Sequence, residues 1–177
     1  MMNSVAPFWD GNETWLILGG GGLFVAFPLA YGIIMSGFYL PVIIMLLALV
    51  FRGVAFEYRW VAKPNHAFWD IAFAGGSITA ALMQGIILGG LLHGLPVENG
   101  HFAGGMLDWL QPFPLFVGLA TVAGYALLGT TWLVMRTEGE VAAEARQQAR
   151  SLLLVVLAAM AVVSLWTPLS EARIWDR

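Results

Sequence analysis

Four stretches of this chain carry no Asp, Glu, Lys or Arg: Thr14 to Phe51, Ile71 to Val97, Trp109 to Met135, and Ser151 to Ser170. A bilayer core ~30 Å thick needs roughly 20 predominantly apolar residues as helix. The last three stretches each suit one crossing. The first is nearly twice as long as one crossing needs and, at ~1.5 Å rise per residue, would overshoot the bilayer as a straight helix, so it predicts two spans folded back on each other. The pattern predicts an all-α polytopic membrane protein. Its single transmembrane helical domain covers 1–177, with five spans at about 15–35, 38–56, 69–92, 113–135 and 150–166. The first turn is expected at Ser36-Gly37, or else nearer Pro41. Pro28 and Pro41 fall inside spans, where neighbouring helices and water can satisfy the carbonyls that proline leaves without a donor.

Composition agrees with this reading. Hydrophobic residues make up 59% of the chain and charged residues 11%, against ~25% charged in an ordinary soluble domain. A net charge of −3 with no basic tract gives no support to a nucleic-acid partner. The absence of cysteine excludes disulfides and thiolate metal sites. The start, Met1-Met2-Asn3-Ser4, lacks the basic region of a cleavable signal peptide.

The positive charges suggest an orientation. Arg52, Arg59 and Lys63 lie between the second and third spans, and Arg136, Arg146 and Arg150 between the fourth and fifth. The connection from Leu92 to Gln111 has no basic residue. The positive-inside rule makes the basic side cytoplasmic, and with it the N-terminal segment Met1 to Glu13; Arg173 and Arg177 dissent. Trp9, Trp15, Trp60, Trp69, Trp109, Trp132 and Trp166 all fall near predicted interfaces. Glu138, Glu140 and Glu144 followed by Arg146 and Arg150 read as a short interfacial helix whose charges suit its dipole, or as a plain solvated connector.

Gly19-Gly20-Gly21-Gly22 is no phosphate loop, because no strand precedes it and no Lys-Ser/Thr follows. Small residues let membrane helices approach closely, and the run is read as a packing face. So are the stripe Ala72, Gly76 and Ala80 and the pair Gly85 and Gly89. His66, His93 and His101 all fall outside the middle of a span, so this chain offers no deep axial ligand for haem. No spacing suited to a metal or a catalytic triad is present. Gln84, with Ser77 and Thr79 nearby, is the one deep polar group, and no polar cluster at the membrane midplane is expected.

The acids nearest the spans are the remaining candidates. Asp10 lies in Pro7-Phe8-Trp9-Asp10-Gly11-Asn12-Glu13, and Asp70 opens the third span. Each can be a helix cap or a carboxylate at the mouth of a proton path. Arg52 and Glu57, in Phe51 to Arg59, read as helix-end anchors or as partners across helices.

Several motifs together carry a resemblance. Asn3 to Leu16, Phe51 to Arg59, Trp69-Asp70, Gln111-Pro112-Phe113 and Met135 to Glu140 stand in the same order in subunit II of the cytochrome bd-type quinol oxidases, including the cyanide-insensitive branch, which the whole chain resembles. The resemblance implies a bacterial terminal oxidase in the plasma (inner) membrane that oxidises quinol and reduces oxygen to water. It implies a partner, subunit I, holding haems b and d, while this chain ligates no haem or metal and contacts membrane lipid and the quinone pool. The family's proton-path acid corresponds to Asp10, and Trp9, Asn12, Glu13, Arg52, Glu57 and Asp70 are possible structural or pathway support. Members extend beyond both ends of this sequence, so it is expected to be a piece of a longer subunit. A transporter or channel half, and a purely structural assembly subunit in which Asp10 only caps the first helix, remain open alternatives.

Overall fold

The computed structural model describes residues 11–61 and 66–170, apart from the side chains of Asn12, Trp60, Leu169 and Ser170. Six helices follow in order: α1 Gly11–Ala26, α2 Pro28–Gly37, α3 Tyr39–Val61, α4 His66–His93, α5 Pro112–Arg136 and α6 Glu140–Ser170. A two-residue hairpin, β1 Val97–Glu98 and β2 His101–Phe102, lies between α4 and α5. The architecture is that of an all-α membrane protein, and α3, α4, α5 and α6 are long and apolar enough to cross a bilayer. They pack in chain order, α3 on α4, α4 on α5 and α5 on α6.

Proline sets several helix starts. Pro28 and Pro112 stand at the beginnings of α2 and α5, where a missing N–H costs nothing. Gln111 before α5 is extended, at φ −104° and ψ 155°, as a residue preceding proline prefers. Gly139, at φ +68°, turns the chain into α6.

The first predicted span departs from expectation. It is two helices of 16 and 10 residues, neither long enough alone to cross. The break is at Phe27, whose φ −136° and ψ 63° lie outside the helical region, because the ring of Pro28 disfavours helical geometry in the residue before it. Hydrogen bonds from Phe27 N–H to the Leu23 carbonyl and from Tyr31 N–H to the Phe27 carbonyl, each 2.9 Å, keep the pieces in register. Phe24 and Tyr31 meet edge to face across the break, 5.1 Å between ring centres. α2 then abuts the α4–α5 connection: a β-carbon at Gly37 would lie 2.9 Å from Leu95 Cδ2. The turn at Ser36-Gly37 falls where the sequence places it.

The separate interfacial helix before the last span is also corrected. α6 runs unbroken for 31 residues, since no Gly or Pro interrupts it between Gly139 and Pro168. Ala142 and Ala145 in its first turns are buried, while its apolar stretch further on has no buried residue in this chain.

The α4 glycines do what their spacing suggests. A β-carbon at Gly76 would sit 2.7 Å from the Ala48 carbonyl oxygen of α3. One at Gly85 would meet Thr121 and lie 2.7 Å from Gly118 Cα, and one at Gly89 would lie 2.7 Å from Pro114 Cα. The absence of side chains is what lets α3 and α5 approach α4 this closely. Gly19, Gly20, Gly21 and Gly22 differ: among the described residues nothing lies within 4 Å of a β-carbon at any of them, so the run packs against none of the described helices. The core gathers Phe38, Met45, Ala48, Ala80, Met83, Ile86 and Trp109. Elsewhere large apolar side chains point outward, among them Trp15, Leu88, Leu128 and Leu154, as lipid-facing helices require.

Candidate functional site

The helix register brings charged and polar side chains together within the bundle. The glycine contacts place Arg52 of α3 beside Gly76 of α4, and so level with Ser77. From the other side α1 contributes Glu13. Its Oε1 lies 3.7 Å from Arg52 Nη2, with the two side chains 26% and 20% exposed respectively. That separation makes an ion pair looser than a hydrogen bond, in a setting well shielded from solvent.

Deeper along α4, Gln84 Oε1 accepts a hydrogen bond of 3.0 Å from the Tyr125 hydroxyl of α5. Between these two polar levels lies a cavity of about 150 Å³ lined by Glu13, Leu16, Leu49, Arg52, Ser77, Ala80, Ala81, Gln84 and Tyr125. Ser77 is anchored by its hydroxyl donating to the Phe73 carbonyl at 2.8 Å, and Glu13 Oε1 is buried without a hydrogen-bond partner among the described residues.

A third polar level marks the end of the bundle where α3 and α4 are joined. Arg59 donates to the Asp70 carboxylate through Nε, and through Nη2 at 3.4 Å. His66 Nδ1 lies 3.1 Å from the Arg59 carbonyl. Asp70 is half exposed, so this pair sits in a wetter setting than Glu13 and Arg52.

The three levels share one spacing. Asp70, Ser77 and Gln84 on α4 are seven residues apart, and so are Arg59 and Arg52 on α3. Seven residues are close to two helical turns, about 10 Å, with a drift of only ~20° around the helix. Polar groups therefore stand in file along the α3–α4 seam, one level every two turns.

Of the residues singled out from sequence, Glu13 and Arg52 meet, and Asp70 finds Arg59. Glu57 is exposed and stands apart from both pairs. Trp9, Asp10 and the side chain of Asn12 lie outside the described residues. Gln84, a solitary deep polar group in the sequence, is joined by Tyr125, Ser77 and the Glu13–Arg52 pair around one cavity. Tyr125 was missed because its proximity to Gln84 depends on the α4–α5 register. The seven-residue spacing on α4 was the readable signal. Among the described residues no three His, Cys, Asp or Glu side chains gather to hold a metal ion.

Comparison with known proteins gives one family. The family model described as cytochrome bd terminal oxidase subunit II matches residues 1–175. Subunit 2 of the cytochrome bd-I ubiquinol oxidase of Escherichia coli (strain K12) is 38% identical over 173 residues, covering 94% of this chain and 46% of that protein. A probable cytochrome oxidase subunit 2 of Haemophilus influenzae is 33% identical, with the same coverage of both. Subunit 2 of the cytochrome bd ubiquinol oxidase of Bacillus subtilis (strain 168) is 33% identical over 165 residues, covering 90% of this chain and 48% of its own. The chain thus spans about half the length of these relatives. With helices of membrane-crossing length and a family match running nearly end to end, the chain belongs to the cytochrome bd terminal oxidase subunit II family.

Proposed function

We propose that this chain serves, within a bd-type oxidase, as the subunit that ligates no haem, supports a haem-bearing subunit I and carries protons toward its oxygen-reducing site. The family match over residues 1–175 is the observation that carries this reading. The complex would oxidise quinol from the membrane pool and reduce oxygen to water, with haems b and d held by the partner. These residues work in the inner membrane of a bacterium, with Arg52, Arg59, Lys63, Arg136, Arg146 and Arg150, carried by the ends of α3, α5 and α6 and the chain between α3 and α4, toward the cytoplasmic side.

Asp10 is assigned as the acid at the cytoplasmic mouth. It stands three residues before Glu13 in the chain. Oxygen reduction consumes protons. If those protons enter from the cytoplasm while quinol protons leave on the other side, charge separation follows without a pump. Trp9, Asn12, Glu13, Arg52, Glu57 and Asp70 support or shape that entrance.

The test is Asp10→Asn in the full-length subunit of the assembled oxidase. Slowed oxygen consumption with unchanged haem spectra supports the reading. Full turnover overturns the proton role, and loss of the complex makes Asp10 a structural cap. Co-purification of haem with a tagged subunit tests the assignment to the oxidase itself.

A further inference from the structure

We infer that the cavity between α1, α3, α4 and α5 is a hydrated relay site, in which Glu13 takes up a proton in passing and Gln84 and Tyr125 hold the water that carries it inward. The inference deepens the proton-uptake reading proposed above and rests on it.

The argument begins from room and polarity. A cavity of about 150 Å³ has space for a few water molecules, each filling ~30 Å³ in the liquid. Water occupies such a space only where polar partners line it; a cavity walled by Leu and Ala alone stays dry. Here a carboxylate, a guanidinium, a hydroxyl, an amide and a phenol share the lining with Leu16, Leu49, Ala80 and Ala81. Glu13 Oε1 is buried with no hydrogen bond from the described residues, and its ion-pair partner is 3.7 Å away. A buried carboxylate oxygen in that state is strongly favoured to accept hydrogen bonds from water.

The chemistry of the lining divides the work. A carboxylate can accept a proton from a hydronium on one side, become a neutral acid, and lose that proton to a water on the other. Gln84 has no proton to give up in this range, and Tyr125 already donates its own to Gln84 at 3.0 Å. These two fix the orientation of water; they do not carry the charge. Ser77, tied to the Phe73 carbonyl, offers its oxygen to the same water. The inner end is near the surface of this chain, since Tyr125 remains 49% exposed, and a relay ending there can pass its proton to whatever packs on α5.

The experiment uses the assembled oxidase with the full-length subunit, comparing Asp10→Asn, Glu13→Gln, Glu13→Asp and Gln84→Leu. Oxygen consumption, its solvent deuterium isotope effect and haem content are read together. The expected result is a slowing of roughly 100-fold or more in Glu13→Gln, the scale of a lost proton-transfer group, with haem content intact and a larger isotope effect. Glu13→Asp recovers most of the rate, and Gln84→Leu is slowed with the same isotope signature. If Glu13→Gln fails to assemble, Gln84→Leu decides, because it leaves the ion pair in place. Full turnover in an assembled Gln84→Leu, or slowing with no change in isotope effect, overturns the relay. Where Asp10→Asn is slow and both cavity variants run at full rate, the relay falls and the uptake reading stands. Full rate in all of them sinks both.

Discussion

Arg52 on α3 faces Glu13 on α1 across 3.7 Å, and this pair ties the start of the first helix to α3. Both side chains are mostly shielded, so the pair lies between an exposed bridge, worth ~0–1 kcal/mol, and a fully buried one, whose disruption costs ~3–5 kcal/mol. Arg52→Met is expected to destabilise the assembled oxidase by about 1–3 kcal/mol, read as a lowered midpoint of thermal haem loss. The double variant Glu13→Leu/Arg52→Met should recover a large part, because no charge is then left uncompensated. A double variant no better than the single would show that the two residues are not coupled.

The α4–α5 seam predicts a contrast between two glycines. Gly85→Ala places a β-carbon 2.7 Å from Gly118 Cα, and overpacking of this kind costs ~1–3 kcal/mol. Gly124→Ala on α5 meets nothing within 4 Å and gains up to ~1 kcal/mol of helix propensity. Unfolding titrations in detergent should separate the two in opposite directions. Equal effects would place the seam elsewhere.

Asp70→Asn tests the outermost pair. Because this carboxylate is half exposed, its bridge to Arg59 is screened by salt and carries little stability. The variant should melt with wild-type enzyme at high ionic strength and slightly below it at low. A large loss at both would mean that Asp70 is covered in the assembled complex.

The hairpin between α4 and α5 turns on Asn99 at φ +51° and Gly100 at φ +80°, the left-handed pair that a two-residue turn needs. Gly100→Val forces a branched side chain into that region, at a cost of ~1–2 kcal/mol. Faster hydrogen exchange at Val97 to Phe102, with the spans unchanged, is the expected signature. Unchanged exchange there would deny the hairpin its dependence on this turn.

Much of the architecture was legible because lipid makes simple demands. Runs free of charge gave α3, α4 and α5 within a few residues, and Gly76, Gly85 and Gly89 announced the seams they form. The break at Phe27 was harder to read, since Pro28 is equally compatible with a kinked continuous span and with two separate helices. Asn99-Gly100 is a strong turn signal, but the strands it joins are two residues each, too short to show the alternation that marks a strand in sequence. At the site, Arg52 was open to pairing across helices, but its partner depends on where α1 lies, which no periodicity encodes. Gln84 looked solitary for the same reason: Tyr125 reaches it only through a register fixed by backbone contact at Gly85 and Gly118.

The glycine seam also bears on the order in which the chain is built. α4 and α5 are consecutive, joined by a connection that contains the β1–β2 hairpin, and their contact relies on backbone closeness that no later segment has to supply. Such a pair can settle as soon as α5 leaves the insertion machinery. α1 brings Glu13 and Leu16 to a cavity whose other walls belong to α3, α4 and α5, all synthesised after it, and those surroundings must wait for them. The biogenesis of this subunit is therefore expected to begin in the middle of the described chain and to close at its start, and the residues around Glu13 acquire their final surroundings only then.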